Sequence, residues 1–234
     1  MNITCIGIHP DDIELGCGGT VARAIADGHQ VTLVDLSAGD SSSNGTVEER
    51  AREAAAAAGI LGGCSRVNLG LPDTGIRSEE SGQIAAVVES LRSARPSLLL
   101  IPSKNDPHPD HASGGELIER ALYLSGLQGF ETGQEAWKPD AVLVYMGRLD
   151  IQPAFVVDVT AVQEVKMNAI RAHRSQFVYE EGRRRTPLNS PDFLAFIESR
   201  SRVFGRLIGA SFGEPFELLH PVRLRDFAMF ESGS

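Results

Sequence analysis

The feature that most constrains the fold is a run of consecutive apolar residues at positions 98–101, between two longer segments with helical periodicity. A strand with one face in water alternates apolar and polar side chains, whereas a strand covered on both faces is apolar throughout. The run Leu98-Leu99-Leu100-Ile101 therefore predicts a strand buried between two layers of helices. Parallel sheets are normally covered in this way, so we expect an α/β protein.

The same alternation of short strand-like runs and longer helical segments extends along the chain. Strands are predicted at residues 3–8, 31–36, 66–69, 98–102, 141–146 and 155–159. Helices are predicted at residues 15–28, 46–62, 79–94, 115–124, 162–174 and 192–208. The second helix has a capping box at Thr46 and Glu49 and ends at Gly62 as its C′ residue. Short connections and the lack of repeats predict one domain over residues 1–234, an open α/β sandwich with a mainly parallel sheet flanked by helices.

Charge and cysteine content exclude several classes of partner. The 22 basic and 31 acidic residues give a net charge of −9, so nucleic acids and anionic membranes are not expected partners. No apolar stretch approaches the ~20 residues needed to cross a bilayer, and the N-terminus lacks a basic leader segment. Three scattered cysteines predict neither a disulfide framework nor a thiolate metal site. These features favour a cytoplasmic protein.

Candidate chemistry follows two of the predicted strands. Ligands of parallel α/β sheets bind at the carboxyl ends of strands. The first strand is followed by His9-Pro10-Asp11-Asp12, and the fourth by a polar loop that contains His108 and His111. Two histidines and several carboxylates therefore reach the same edge of the sheet. A single histidine is more often structural, but two such loops at one edge favour a catalytic zinc site with nitrogen and oxygen ligands.

Adjacent and paired groups in these loops suggest a division of roles. The side chains of Asp11 and Asp12 diverge, so one can bind a metal while the other acts as a general base. A turn or a helix cap is the structural alternative, because aspartate suits both. In the other loop, a histidine oriented by a carboxylate, His108 with Asp110, could protonate a leaving amine or stabilise an oxyanion.

Together, residues 9–14, the small residues at 16–20 and the block 108–111 resemble the LmbE/PIG-L superfamily of N-acetylglucosaminyl deacetylases, which have a Rossmann-like fold. Further blocks at residues 42–48, 68–73, 175–177, 186–188 and 215–220 resemble the branch of bacillithiol biosynthesis. Members of that branch deacetylate N-acetylglucosaminyl-malate. The resemblance implies the same reaction here, with acetate and a free glucosaminyl amine as products.

The resemblance also assigns the metal ligands and the base. It implies that His9, Asp12 and His111 bind Zn²⁺ and that Asp11 deprotonates the attacking water. Iron, cobalt or manganese remain alternatives, because histidine and aspartate ligands accept these metals too.

Further roles follow from the same resemblance. It implies that His108 stabilises the oxyanion or protonates the departing nitrogen, and that Asp110 orients His108. Asn44 and Arg50 become substrate-binding residues, with Arg50 reaching toward the anionic end of a small sugar conjugate. Relatives in this branch form hexamers, so the resemblance implies a homo-oligomer.

Two positions depart from the pattern of the bacillithiol branch. Pro107 replaces a frequent arginine, and Asp192 stands where related enzymes carry a tyrosine over the site. The cluster Arg183-Arg184-Arg185 could supply the missing positive charge, or it could be a solvated loop. Histidines without visible partners, such as His173, are expected to be exposed to solvent.

Other functions stay open on the sequence. Deacetylation of N-acetylglucosamine or chitooligosaccharides and cleavage of a sugar–thiol conjugate would use the same site. A non-catalytic sugar-binding protein with a structural metal is an alternative of a different class. Asp11 and His108 argue against it, since a structural metal site needs neither a base nor an acid.

Overall fold

The predicted parallel sheet is present, and one strand that the sequence did not predict completes it. The structure, a computed structural model, describes residues 1–145 and 152–223. Within those residues the strands are β1 (Asn2–Gly7), β2 (Gln30–Ser37), β3 (Ser65–Leu71), β4 (Leu98–Pro102), β5 (Ala141–Tyr145), β6 (Phe155–Asp158) and β7 (Gly213–Leu218). They form one sheet in the order β3-β2-β1-β4-β5-β7-β6. Strands β1 to β5 are parallel, and β7 is antiparallel to both β5 and β6.

Helices connect the strands, and the α/β class is as predicted. They are α1 (Asp12–Ala26), α2 (Val47–Ile60), α3 (Ser81–Ala94), α4 (Pro109–Ser125), α5 (Gln163–Ala172), α6 (Arg174–Phe177) and α7 (Pro191–Leu207). The predicted cap of α2 is confirmed: Oγ1 of Thr46 accepts a hydrogen bond from the amide of Glu49 at 3.2 Å. None of the described helices has the length and apolar character needed to span a bilayer.

The sheet lies between two hydrophobic layers, as the apolar run of β4 predicts. Successive side chains of a strand point to opposite faces. Ile3 and Cys5 of β1 belong to one layer with residues of α1, α2 and α5, whereas Ile6 belongs to the other layer with residues of α3 and α4. Leu99 and Leu100 divide in the same way between the two layers. This double coverage leaves the carboxyl ends of the strands as the place for polar groups.

Two predicted helix starts were too late. Helix α1 begins at Asp12 rather than residue 15, and α4 begins at Pro109 rather than residue 115. The first turn of α4 is polar, and that of α1 places a single core residue, Ile13, between two acidic ones, so periodicity places both starts too far along the chain. Proline at the first helical position and the His108 side chain as the N-cap explain where α4 begins.

The C-terminal part differs more from the prediction. Strand β7 was missed because Pro215 and two glutamates interrupt its apolar pattern, and proline usually argues against an interior strand. The helix predicted at 162–174 ends at Ala172, and a break at His173 separates it from the short α6. The predicted strand 141–146 corresponds to β5, and Met146 lies outside the described residues.

Candidate metal centre

The polar residues predicted to meet at the sheet edge do meet there. His9 follows β1, and Asp12 is the first residue of α1. His108 caps α4, whose first turn contains His111. The early starts of these helices therefore place candidate ligands in their first turns.

The distances among three of these side chains fit a tetrahedral metal ion. Oδ2 of Asp12 lies 3.8 Å from Nδ1 of His9 and 3.4 Å from Nε2 of His111. The ligand atoms of all three residues lie within 4.8 Å of one another. Zinc bonds of 2.0–2.1 Å in tetrahedral geometry separate ligand atoms by roughly 3.3 Å. Two imidazoles and one carboxylate that leave a fourth position open are also a common donor set of catalytic zinc sites.

Each histidine of this set has a carboxylate at its other ring nitrogen. Nε2 of His9 donates to Oδ1 of Asp73 at 2.9 Å, and Nδ1 of His111 lies 3.4 Å from Oδ1 of Asp106. Such carboxylates fix the orientation of metal-binding imidazoles. Asp73 and Asp106 were not among the predicted site residues. Asp73 directly follows β3, so applying the sheet-edge rule to that strand would have found it.

The same contacts decide between two groups that could hold an ion. A second set, His9 with Asp73 and Asp110, would use Nε2 of His9. That nitrogen is already in a 2.9 Å hydrogen bond with Asp73. The set with Asp12 uses the other nitrogen, Nδ1, and leaves this hydrogen bond intact. It therefore accounts for the contacts of both ring nitrogens of His9.

The carboxylates around His9 and His111 favour positive charge on these two side chains. Burial acts to lower the pKa of His9, but the hydrogen bond to Asp73 and the charge of Asp12 outweigh it, and the net pKa is raised. For His111, burial is likewise outweighed by Asp12 and Asp106, which raise its pKa to about 9. The hydrogen bond from His9 holds the pKa of Asp73 well below its usual range. A divalent cation would be stabilised by the same carboxylates.

Asp11 is held in an unusual backbone conformation by Arg50. Its φ of 151° is a conformation that L-residues rarely adopt. The guanidinium of Arg50 donates to Oδ2 of Asp11 at 3.3 Å, and to the carbonyls of Pro10 and Gly39 at 3.2 Å each. Burial raises the pKa of Asp11 to about 6 although Arg50 opposes the shift. The structure thus places Arg50, predicted to bind substrate, as a buried support of the predicted base.

His108 and Asp110 are joined differently from the expectation. The backbone amide of Asp110 donates to Nδ1 of His108 at 3.3 Å, so neutral His108 carries its proton on Nε2. The Asp110 carboxylate instead accepts from the amide of Thr74 at 2.6 Å and lies 3.7 Å from Nε2 of His9. The His108 ring lies 4.8 Å from that of His111. Burial and the neighbouring imidazoles lower the pKa of His108, which favours the neutral donor form.

A buried charged network lies next to this centre. Arg66 makes two hydrogen bonds to the Asp35 carboxylate, at 2.7 and 2.9 Å, and a third contact to Glu14. Burial raises the pKa of Glu14, but Arg66 and His173 outweigh it and bring it to about 2. The expectation that His173 is exposed is wrong: it is fully buried, with Nε2 3.4 Å from Oε1 of Glu14. The helix break at this residue, which the sequence pattern did not reveal, turns its ring into the interior.

Asn44 and the arginine cluster lie on facing loops. The Asn44 side chain pairs with the backbone of Arg184 through two hydrogen bonds of 2.9 Å. Arg183 forms ion pairs with Glu49 at 2.6 Å and with Glu180 at 3.2 Å. The loop that contains Asn44 also reaches the centre, because the amide of Ser41 donates to Asp73 at 2.8 Å. The substrate-binding role predicted for Asn44 stays a prediction.

Comparisons with known proteins point to one protein family. The sequence pattern of a family described as PIG-L, GlcNAc-PI de-N-acetylase, matches residues 4–122, which contain every predicted metal ligand. A diacetylchitobiose deacetylase of Thermococcus kodakarensis is 31% identical over 190 residues, which cover 75% of this chain and 70% of that protein. A probable N-acetyl-α-D-glucosaminyl L-malate deacetylase 2 of Bacillus subtilis is 26% identical over 182 residues, or 72% of this chain and 80% of that protein. The solved structure of a conserved protein from Thermus thermophilus superposes with a TM-score of 0.87 at 33% identity, covering 97% of this chain and 99% of that one.

Proposed function

Because this chain belongs to the PIG-L family of GlcNAc-PI de-N-acetylases, and so is a hydrolytic deacetylase, we propose that it removes the acetyl group from an N-acetylglucosaminyl conjugate with the help of a zinc ion. The observation that carries the proposal is the convergence of His9, Asp12 and His111, with ligand atoms within 4.8 Å of one another, beside Asp11 and His108. The products would be acetate and a free amine.

The residues of the chain fit the group that the family implies. His9, Asp12 and His111 would hold the ion. When bound, zinc would act as a Lewis acid that acidifies water and polarises the acetyl carbonyl. Asp73 and Asp106 orient the two imidazoles and keep their ligating nitrogens free for the ion.

Asp11 and His108 then have separate roles, proton transfer for Asp11 and stabilisation of the oxyanion for His108. Asp11 accepts the proton of the attacking water, and Arg50 holds its carboxylate in place. Nε2–H of His108 donates to the carbonyl oxygen as negative charge develops, because Nδ1 already accepts from the amide of Asp110. The amide nitrogen must also gain a proton before it leaves. The proton taken up by Asp11 is available for that step.

We propose N-acetylglucosaminyl-malate as the substrate, as in bacillithiol biosynthesis. The Bacillus subtilis relative, whose name specifies a malate conjugate, supports this choice, and 80% of its length is matched. The Thermococcus relative, named for diacetylchitobiose, supports a second candidate, an uncharged chitooligosaccharide. The two differ in the charge of the group attached to the sugar, so a direct comparison separates them.

The experiment measures free-amine release by the zinc-loaded protein from N-acetylglucosaminyl-malate and from N,N′-diacetylchitobiose. Asp11→Asn should keep its zinc content while turnover of either substrate falls by about 10²–10⁴-fold. Asp140→Asn, an exposed residue before β5 at the opposite edge of the sheet, is the control and should keep full turnover. Full activity in Asp11→Asn would overturn the assignment of the base, and no amine release by the parent protein would overturn the function.

A cytoplasmic location and a homo-oligomeric, hexameric assembly belong to the same proposal. The free cysteines Cys5, Cys17 and Cys64 are in keeping with a reducing compartment. Sedimentation of the purified protein tests the assembly.

A further inference from the structure

Two buried asparagines fix the backbone of one exposed arginine. Nδ2 of Asn44 donates to the carbonyl of Arg184, and the amide of Arg184 donates to Oδ1 of Asn44, both at 2.9 Å. Nδ2 of Asn189 donates to the same carbonyl, also at 2.9 Å. Asn44 is 8% exposed and Asn189 is 5% exposed, so these hydrogen bonds replace bonds of both side-chain amides to water. Such an arrangement immobilises the backbone of Arg184 and presents its side chain outward.

The side-chain contacts of Arg184 differ from those of its two neighbours. Arg183 is neutralised by Glu49 and Glu180, and the guanidinium of Arg185 lies 4.2 Å from the ring centre of Tyr179. Arg184 is exposed, and within residues 1–145 and 152–223 its guanidinium has no ion pair or hydrogen bond. Arg184 is therefore the member of the cluster whose guanidinium makes neither an ion pair nor a ring contact in the described part of the chain.

Contacts on both sides tie this loop to the metal centre. On one side, Asn44 belongs to the loop after β2, whose Ser41 amide donates to Asp73, the partner of His9. On the other side, Arg183 contacts Glu49, and the next residue of α2 is Arg50, which supports Asp11. Arg184 is thus held between two segments that each contact a residue of the centre.

We infer that Arg184 is a specificity-determining residue that binds the anionic group attached to the sugar of the substrate. This inference rests on the proposed deacetylase function. A guanidinium is planar and pairs with a carboxylate through two parallel hydrogen bonds, which suits a dicarboxylate such as malate. The loop before α4 offers no charge at Pro107. Asn44 and Asn189 are then positioning residues, and Asn44 acts through Arg184 instead of contacting the sugar.

The test compares an anionic and an uncharged substrate. Arg184→Ala should raise KM for N-acetylglucosaminyl-malate by about tenfold or more with kcat unchanged, because a charge-assisted contact is lost in ground and transition state alike. KM for N,N′-diacetylchitobiose should not change. Calorimetry with the deacetylated product, glucosaminyl-malate, should show a loss of affinity by the same factor. Arg185→Ala removes the same charge from the adjacent position and should leave all of these values unchanged.

A double variant tests the positioning role. Asn44→Ala should raise KM for the malate conjugate in the parent protein but add nothing in the Arg184→Ala background, since both act through one contact. Asn189→Ala should behave in the same way. Equal KM values for the malate conjugate in Arg184→Ala and the parent protein would overturn the inference while the deacetylase function stands. Failure of the parent protein to release amine from either substrate would overturn the function and the inference together.

Discussion

Asp73 accepts a hydrogen bond from Nε2 of His9 at 2.9 Å, and this contact turns the other ring nitrogen of His9 toward Asp12, 3.8 Å away. The carboxylate is itself held by the amides of Ser41 and Thr74, at 2.8 and 3.0 Å. The orientation of a candidate metal ligand therefore depends on two loops that supply none of the three candidate ligands His9, Asp12 and His111. The same device recurs at His111 with Asp106.

Removing this support should weaken metal binding without removing a ligand. Asp73→Ala leaves His9 free to rotate, and we expect zinc affinity to fall by about 10–100-fold. Competition with a chromophoric chelator measures the dissociation constant. Asp140→Ala is the control and should bind zinc as the parent protein does. An unchanged dissociation constant in Asp73→Ala would show that the hydrogen bond does not orient His9.

A glycine in the loop after β2 should be required for the position of Arg50. Gly39 has a φ of 68°, and a Cβ at this residue would overlap with Nη1 of Arg50. Gly39→Ala should therefore displace the guanidinium from Asp11 and reduce kcat. Gly209→Ala is the matched control, because Gly209 has a φ of 76° and open space around its Cβ position.

Both glycine variants should lose about 1–2 kcal/mol of the free energy of unfolding, since both strain an L-residue in the left-handed region. Gly39→Ala should lose about 1–3 kcal/mol more from the steric clash. Urea unfolding and steady-state kinetics measure the two effects. Equal stability and equal kcat in the two variants would contradict the contact with Arg50.

The buried pair of His173 and Glu14 should make stability depend on pH. Burial acts to lower the pKa of His173, but the Glu14 carboxylate at 3.4 Å outweighs it and raises the pKa above the ordinary value of 6.5. The folded state thus binds this proton more tightly than the unfolded chain does. The resulting stability is complete below about pH 6.5 and is lost as the pH rises through the folded pKa. Asp11 adds to the shift, and Arg66 opposes it.

His173→Asn should therefore show a shallower loss of unfolding free energy above pH 6.5 than the parent protein. Urea titrations at several pH values from about 5.5 upward give the slopes, and the difference between the two proteins isolates His173 from the other histidines. His29→Asn, which makes the same substitution at a residue beside the N-terminal amino group, is the matched control. Parallel curves for His173→Asn and the parent protein would count against the pair.

Much of this fold could be predicted because several of its strands, such as β4 and β5, are short apolar runs. The apolar run from Leu99 to Ile101 predicts a strand covered on both faces, which is typical of a parallel sheet. The polar residues after its strands, among them His9 and His111, are therefore expected to meet at one edge of the sheet. The candidate metal ligands could also be brought together from the sequence, since each lies just after a strand or in the helix turn that follows it; their role as ligands stays a prediction. Strand order and the contact partners of individual side chains could not be predicted in this way, because no local sequence pattern indicates them.

What could not be predicted depends on contacts between distant segments. Arg50 and Asn44 were expected at the substrate, and that role stays a prediction; their contacts with Asp11 and with the backbone of Arg184 were not predicted. Such pairs are 39 and 140 residues apart in sequence. His173 is buried by a helix break that periodicity does not show.

The position of β7 has a consequence for how the protein is made. In the described part of the chain, β6 pairs with β7, and β7 also pairs with β5. Until a ribosome has synthesised the chain through Leu218, the apolar edge of β5 and the whole of β6 lack this neighbour. The sheet therefore closes only after β7 has been made, and a nascent chain that stops short of β7 exposes strand edges that are prone to aggregation.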